Sequence, residues 1–136
     1  MHDDSSPRRV ALVTCEAFPN LYVDDQLLVH ALSALGIEPV TAVWSRADID
    51  WSAFDAIVMR SPWDYFERVA EFRGWLNARI ASGVLMCNAP EILRWNFDKR
   101  YLQELARKGV ELVPTLCIAQ HERPDIAALV AERGWD

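Results

Sequence analysis

The chain has 136 residues, of which 51% are hydrophobic, and its formal net charge at pH 7 is -6. This composition and length are typical of one ordinary soluble domain together with a fragment of a second one. The acidic net charge argues against a surface that binds nucleic acid or an anionic membrane. After Arg8 and Arg9 the apolar run 10–13 is too short for a signal peptide or a membrane span, so a cytoplasmic protein is expected.

Strand and helix patterns alternate through most of the chain. Residues 10–15 form a continuous apolar run, which indicates a parallel strand covered on both faces. A helix is expected to follow, capped by Asp24 or Asp25 and stopped by Gly36. The later predicted elements are strands over 38–43, 55–60 and 84–88, a helix over about 67–82 and a short helical turn over 91–95.

This order of elements predicts an α/β fold of the Rossmann-like type, with a right-handed, mostly parallel sheet and helices on both faces. Ligands of such sheets bind beyond the carboxyl ends of the strands. Three loops leave those ends and are therefore candidate binding loops, namely residues 14–22, 60–65 and 88–90.

The loop over residues 60–65 carries the most suggestive side chains. Arg60 could bind a carboxylate, Asp64 could bind an ammonium group, and Trp63 could form a wall beside them, which together would hold a small zwitterion. The alternative is a turn started by Pro62, in which Asp64 caps the next helix and Trp63 covers the core.

A second stretch begins at Asn96 and runs through Lys99 to Gly109. Asn96 is expected to cap a helix that Gly109 ends, which would place Lys99 in the first turn, where the helix dipole disfavours a cation by about 0.3 to 1 kcal/mol. A phosphate bound nearby would explain the lysine. The alternative is that Lys99 points into water while Asp98 offsets its charge.

The run from Asn96-Phe97-Asp98-Lys99 through Gly109-Val110 to Val113-Pro114-Thr115 resembles the entry to the nucleotide-binding region of the ATP-grasp ligases. That superfamily includes D-alanine:D-alanine ligase and glutathione synthetase, and in this resemblance Lys99 contacts the phosphates of ATP. Residues 60–65 also resemble the first-domain loop of the ATP-grasp ligases related to O-ureido-serine cyclo-ligase and to glutathione synthetase. That likeness assigns Arg60, Trp63 and Asp64 to the substrate.

The resemblance implies the N-terminal domain of an ATP-dependent carboxylate-amine ligase. Such an enzyme activates the carboxylate of an amino-acid-like or peptide-like substrate as an acyl phosphate, which an amine then attacks, and ATP and Mg2+ are the cofactors of the full-length parent. No catalytic residue and no metal ligand is assigned in this chain, so the chain alone is expected to be inactive. The alternative is a stand-alone, non-catalytic α/β module that binds a ligand or a partner.

Three parts are expected along the chain: a substrate-side domain over 1–95, a connecting helix over 96–109 and the incomplete start of a central subdomain over 110–136. Within the last part, residues 111–118 predict an edge or irregular strand because Pro114 interrupts them, and residues 124–133 predict a helix. Apolar residues from Val110 onward also predict that the chain self-associates into a homo-oligomer.

The remaining candidate residues and motifs exclude several classes of protein. Cys15, Cys87 and Cys117 have no Cys-x-x-Cys spacing and are expected to be buried, reduced thiols, while His30 and His121 have no partner at a metal-ligand spacing. The glycines are too far apart for a dinucleotide or P-loop motif, and no Gly-x-Ser-x-Gly elbow occurs. Dinucleotide oxidoreductases, P-loop kinases and α/β-hydrolases are therefore disfavoured.

Overall fold

The computed structural model describes residues 7–135, so the first six residues of the predicted N-terminal domain and Asp136 lie outside the described residues. The chain divides into two compact units, unit 1 ending at Phe97 and unit 2 beginning at Asp98. The elements in chain order are β1 (Arg9–Thr14), α1 (Gln26–Ala34), β2 (Glu38–Val43), β3 (Ala56–Ser61), α2 (Val69–Ala81), β4 (Leu85–Met86), α3 (Pro90–Asn96), α4 (Tyr101–Arg107) and α5 (Ile126–Glu132), with short 3-10 turns at Val23–Asp25 and Trp51–Ala53. The predicted three-part division of the chain stays a prediction.

The four strands lie side by side in the order β2-β1-β3-β4, and every neighbouring pair is parallel. The central strand is β1, in which Leu12 lies opposite Thr41 on one side and Val58 on the other. Leu12 and Val13 are fully buried, as a strand covered on both faces requires. The α/β fold with a parallel sheet, predicted from the sequence, is confirmed.

The two faces of the sheet carry different helices. On one face Leu12 and Leu21 are buried, and Leu28 and Leu32 of α1 pack against that cluster. On the other face Ile57 packs in the cluster that contains Phe72 of α2. Apolar residues that alternate along each strand therefore separate into two cores, which is why a helix lies on either side of the sheet.

The last strand of the sheet is shorter than the predicted strand over 84–88. Beyond Met86 the backbone N–H of Cys87 still donates to the carbonyl of Ile57 at 2.9 Å, but the next donor, the N–H of Met59, is satisfied by Oδ1 of Asn88 at 2.8 Å. A side chain thus replaces the backbone ladder. Cys87 is exposed, so its predicted burial is wrong, whereas Cys15 is buried and Cys117 is partly buried, and all three thiols are free.

The predicted helix over 96–109 is two separate elements. Asn96 is the last residue of α3 and does not cap the next helix, since α4 begins at Tyr101 with Arg100 at its cap position. The break follows from Asp98, whose Oδ1 accepts the backbone N–H of Arg100 at 2.9 Å and so closes a local turn. Gly109 ends α4 as predicted, with a φ of +82° that favours glycine.

In unit 2, residues 111–118 form no strand, so that prediction is wrong. Pro114 has no N–H to donate, and the described residues of unit 2 contain no strand with which this segment could pair. The predicted helix over 124–133 is confirmed as α5, whose N-cap Asp125 accepts the backbone N–H of Ala128 at 3.1 Å.

We find no helix in the described part of the chain that is both long and apolar enough to cross a membrane.

Candidate functional site

Two of the three predicted binding loops meet at the carboxyl end of the sheet. The ring of Trp63, after β3, lies 5.2 Å from the ring of Phe18 and 5.0 Å from the ring of Tyr22, both in the loop after β1. Phe18 and Tyr22 themselves are 5.5 Å apart in an edge-to-face arrangement. Trp63 keeps 46% of its surface exposed, so it borders solvent instead of plugging the core.

Polar side chains fix these loops to the strands they leave. The hydroxyl of Thr14, the last residue of β1, donates to the backbone carbonyl of Phe18 at 2.7 Å. The third predicted loop is held by Asn88, whose contact with Met59 is described above. Two of the three loops are thus attached to the sheet edge by side-chain hydrogen bonds, which is the condition for a defined site on a loop.

Arg60 forms an ion pair within unit 1. Its Nε donates to Oδ1 of Asp25 at 2.9 Å, and its Nη2 donates to the same oxygen. The other carboxylate oxygen of Asp25 accepts the hydroxyl of Ser61. The guanidinium predicted to meet a substrate is therefore already held by a buried carboxylate, and its own side chain is 40% exposed.

Asp25 is the member of this cluster for which the sequence predicts a different role, that of a helix cap. It occupies the N-cap position of α1, but its side chain makes no capping hydrogen bond. Only the Asp24-Asp25 doublet could have pointed to another role, because one helix start needs a single cap. Burial acts to raise the pKa of Asp25, but hydrogen bonds from Ser61 and Arg60 and the charge of Arg60 outweigh it, so its pKa lies below the ordinary value of 3.8.

Asp64 contacts a buried indole. Its Oδ1 accepts the Nε1–H of Trp44 at 2.7 Å, and its Oδ2 lies 3.8 Å from Nη1 of Arg68. The alternative that Asp64 caps the next helix is wrong, because α2 has Arg68 at its N-cap position and no side-chain cap. Whether Asp64 also meets a substrate stays a prediction.

Lys99 belongs to unit 2 and is exposed in the turn that precedes α4. It directly precedes Arg100, the N-cap residue of α4, so its predicted place inside the first helical turn is wrong. Its Nζ lies 5.5 Å from the centre of the Tyr101 ring, while Asp98 is engaged by Nε of Arg100 at 2.8 Å. The proposed contact of Lys99 with ATP phosphates stays a prediction.

Two cavities in unit 1 lie along α2. A groove of about 510 Å³ is lined by residues that include Trp44, Trp51 and Arg79, and a smaller one of about 220 Å³ by residues that include Arg73 and Phe97. Neither includes Arg60, Trp63 or Asp64 in its lining. The candidate site at the sheet edge is therefore identified from the chemistry of its side chains and not from the size of a cavity.

A magnesium site does not fit the described residues. Mg2+ prefers several oxygen ligands in a near-octahedral arrangement. Residues 7–135 contain no group of three or more His, Cys, Asp or Glu side chains close enough together to hold a metal ion. No chemical step is therefore assigned to a metal held by these residues.

Comparison with known proteins gives related sequences and a related structure. Residues 10–88 match the family described as D-cycloserine synthetase DcsG, N-terminal domain. The cycloserine biosynthesis protein DcsG of Streptomyces lavendulae is 36% identical over 126 residues, which is 93% of this chain and 40% of that protein. The crystal structure of D-cycloserine synthetase DcsG aligns with a TM-score of 0.74 and 34% identity over 93% of this chain and 43% of that chain. The chain thus spans less than half the length of either.

Proposed function

Because this chain belongs to the family of the D-cycloserine synthetase N-terminal domain, we propose that it is the substrate-side part of an ATP-dependent carboxylate-amine ligase of the ATP-grasp type. The observation that carries the proposal is the similarity over 93% of the chain to a biosynthetic enzyme. The relatives are named for the synthesis of cycloserine, which supports a small amino-acid-like substrate for this chain.

The proposed reaction proceeds in two steps. A carboxylate oxygen of the substrate attacks the γ-phosphorus of ATP, the bond to the β-phosphate oxygen breaks, and an acyl phosphate and ADP result. An amine nitrogen then attacks the acyl carbon, phosphate leaves with the C–O bonding pair, and the nitrogen loses a proton. When the amine and the carboxylate belong to one molecule, the product is a ring, and the enzyme gains mainly by holding the two groups close together.

The described residues have roles in binding under this proposal. Arg60 binds the carboxylate of the amino acid and Trp63 forms an aromatic wall beside it. Asp64 contacts the ammonium group through Oδ2, which accepts no hydrogen bond from Trp44 and lies 3.8 Å from Nη1 of Arg68. Lys99 contacts the phosphates of ATP as a compact positive charge. The proposal gives these four residues roles in binding only and assigns none of them a chemical step.

The experiment uses the full-length protein and measures ADP formation with serine and O-ureidoserine, each in both enantiomeric forms. The two lysines of the sequence, Lys99 and Lys108, provide a matched pair. We expect Lys99→Met to raise the KM for ATP about tenfold or more, since a charge-assisted contact to phosphate is lost. Lys108→Met should leave the KM for ATP within about twofold.

The proposal fails if none of these amino acids stimulates ADP formation, or if the two lysine variants have equal KM values for ATP. In that case the stand-alone α/β binding module, which needs no ATP, becomes the better interpretation. Circular dichroism of both variants checks that neither substitution changes the fold.

A further inference from the structure

Asp25 links two segments at the carboxyl end of β3. It lies on the 3-10 turn Val23–Asp25 before α1, and its two carboxylate oxygens receive Arg60 on one side and Ser61 on the other. Only 5% of Asp25 is exposed, so water has little access to this contact. A buried carboxylate with all its partners drawn from one neighbouring strand fixes the position of that strand's side chains.

A break in strand register explains how two consecutive side chains reach one carboxylate. Val13 lies opposite Met59, but Thr14 lies opposite Ser61, so Arg60 is an extra residue in β3. Neighbouring side chains of a regular strand point to opposite faces, whereas a bulge re-aims one of them. The irregularity therefore turns Arg60 and Ser61 toward the same aspartate.

The ion pair leaves part of the guanidinium available. Nε and Nη2 of Arg60 are bonded to Asp25, whereas Nη1 makes no hydrogen bond to any residue between 7 and 135. The side chain of Arg60 is 40% exposed, so its Nη1 end is accessible. A guanidinium that is held along one edge has already lost its rotamer freedom, which lowers the entropy cost of binding a second carboxylate.

We propose that Asp25 is a positioning residue, which holds Arg60 in the orientation that binds the carboxylate of a small amino-acid substrate through its Nη1 end. The inference rests on the proposed function, because that function supplies the carboxylate. The same two segments carry Tyr22 and Trp63, whose rings lie 5.0 Å apart.

The competing explanation is that Asp25 only ties the turn before α1 to β3. A structural tie would change stability, whereas a positioning residue also changes the affinity for the carboxylate substrate and leaves the KM for ATP unchanged. The test therefore measures binding and kinetics of the full-length protein beside its thermal stability. Asp24→Asn is the matched control, because Asp24 is an exposed aspartate on the same turn.

The first measurement is the NMR resonance of the Arg60 Nε–H group, assigned with Arg60→Lys, during titration with O-ureidoserine and with serine. We expect both compounds, in at least one enantiomer, to shift this resonance. Asp25→Asn, which has nearly the same shape but no charge, should weaken binding about tenfold, and Asp24→Asn should weaken it less than about twofold. If Asp25→Asn does not fold, Ser61→Ala removes one of the contacts and should weaken binding about threefold.

Two results overturn the inference: the Arg60 resonance does not respond to either amino acid, or Asp25→Asn binds them as well as Asp24→Asn does. ADP formation is the measurement that decides the ligase proposal, and it is independent of the Arg60 resonance. An Arg60 shift that Asp25→Asn weakens, without ADP formation, supports the role of Asp25 and counts against the ligase. If ADP forms and Asp25→Asn changes neither the affinity nor the KM for the amino acid, the ligase proposal is supported and the positioning role of Asp25 is excluded.

Discussion

Asp64 and Asp25 show how the carboxylates near the sheet edge are placed by buried partners. Asp64 accepts a hydrogen bond from Trp44, which is 2% exposed, and Asp25 accepts from Ser61, which is fully buried. A buried N–H or O–H without an acceptor costs about 1–3 kcal/mol, so each carboxylate is needed where it lies. Both aspartates thus contribute to stability in addition to any role in binding.

The pH dependence of stability tests the environment of Asp25. Folding lowers the pKa of this carboxyl group below 3.8, so the folded state binds its proton less readily than the unfolded state does. Its contribution to the free energy of unfolding is therefore fully present above the ordinary pKa and is lost as the pH falls through the lower, folded value.

We expect Asp25→Asn to be less stable than the wild type by about 1–3 kcal/mol at pH 6, with a difference that shrinks below about pH 4. Urea denaturation of both proteins at several pH values measures it. Folding also lowers the pKa of Glu16 and Asp50, but those groups are common to both proteins and cancel in the comparison. A difference that stays constant down to pH 3 would contradict the lowered pKa of Asp25.

The helices on the two faces of the sheet contribute unequally to the core. α2 buries Phe72 and Leu76, whereas α1 buries no residue completely and exposes Leu27, and Leu35 directly after α1 is exposed as well. Leucine recurs at helical spacing in α1, and this pattern by itself would predict that α1 is buried more deeply than α2. The free energy of packing is therefore expected to lie mainly in α2.

Leu76→Ala and Leu27→Ala remove the same atoms at 0% and 76% exposure. We expect Leu76→Ala to lower the free energy of unfolding by about 2–5 kcal/mol, because it loses buried surface and leaves a cavity. Leu27→Ala should change it by less than about 0.5 kcal/mol. Equal losses in urea denaturation would mean that the outer side of α1 is covered in solution.

Unit 1 contains the whole sheet, and its core extends past β4 to Phe97. The ring of Phe97 lies 5.8 Å from Tyr65 and 5.6 Å from Phe72, and Leu93 of α3 packs on the same cluster. α3 therefore belongs to the fold of unit 1 even though it follows the last strand. A fragment that keeps α3 should retain the full aromatic cluster.

A fragment that ends at Phe97 is expected to unfold cooperatively on heating, whereas a fragment that ends at Ala89 should melt at a lower temperature or not fold, since it loses Leu93 and Phe97 from the core. Near-ultraviolet circular dichroism reports the packing of the aromatic rings in each. Equal melting temperatures for the two fragments would show that α3 is not needed by unit 1.

Local pattern was enough for most of the elements. Three of the strands were predicted to within a residue at each end, the first of them from its apolar run, while the 3.6-residue period predicted α2 and glycine predicted the end of α4. The parallel sheet followed from the alternation of strands and helices, because chain connections of this length restrict the topology. The loops at the carboxyl ends, with Arg60 and Trp63, followed from the same rule.

Contacts between residues distant in sequence could not be read in this way. Asp25 and Ser61 are 36 positions apart, and Trp44 and Asp64 are 20 apart, so no local spacing connects them. The register shift beside Val13 depends on how β1 and β3 align, and residues 111–118 form no strand in a unit whose described residues contain no other strand. Hydrophobic period and turn chemistry are encoded by neighbouring residues, whereas the partner of a polar side chain is set by which strands and loops the folded chain brings together.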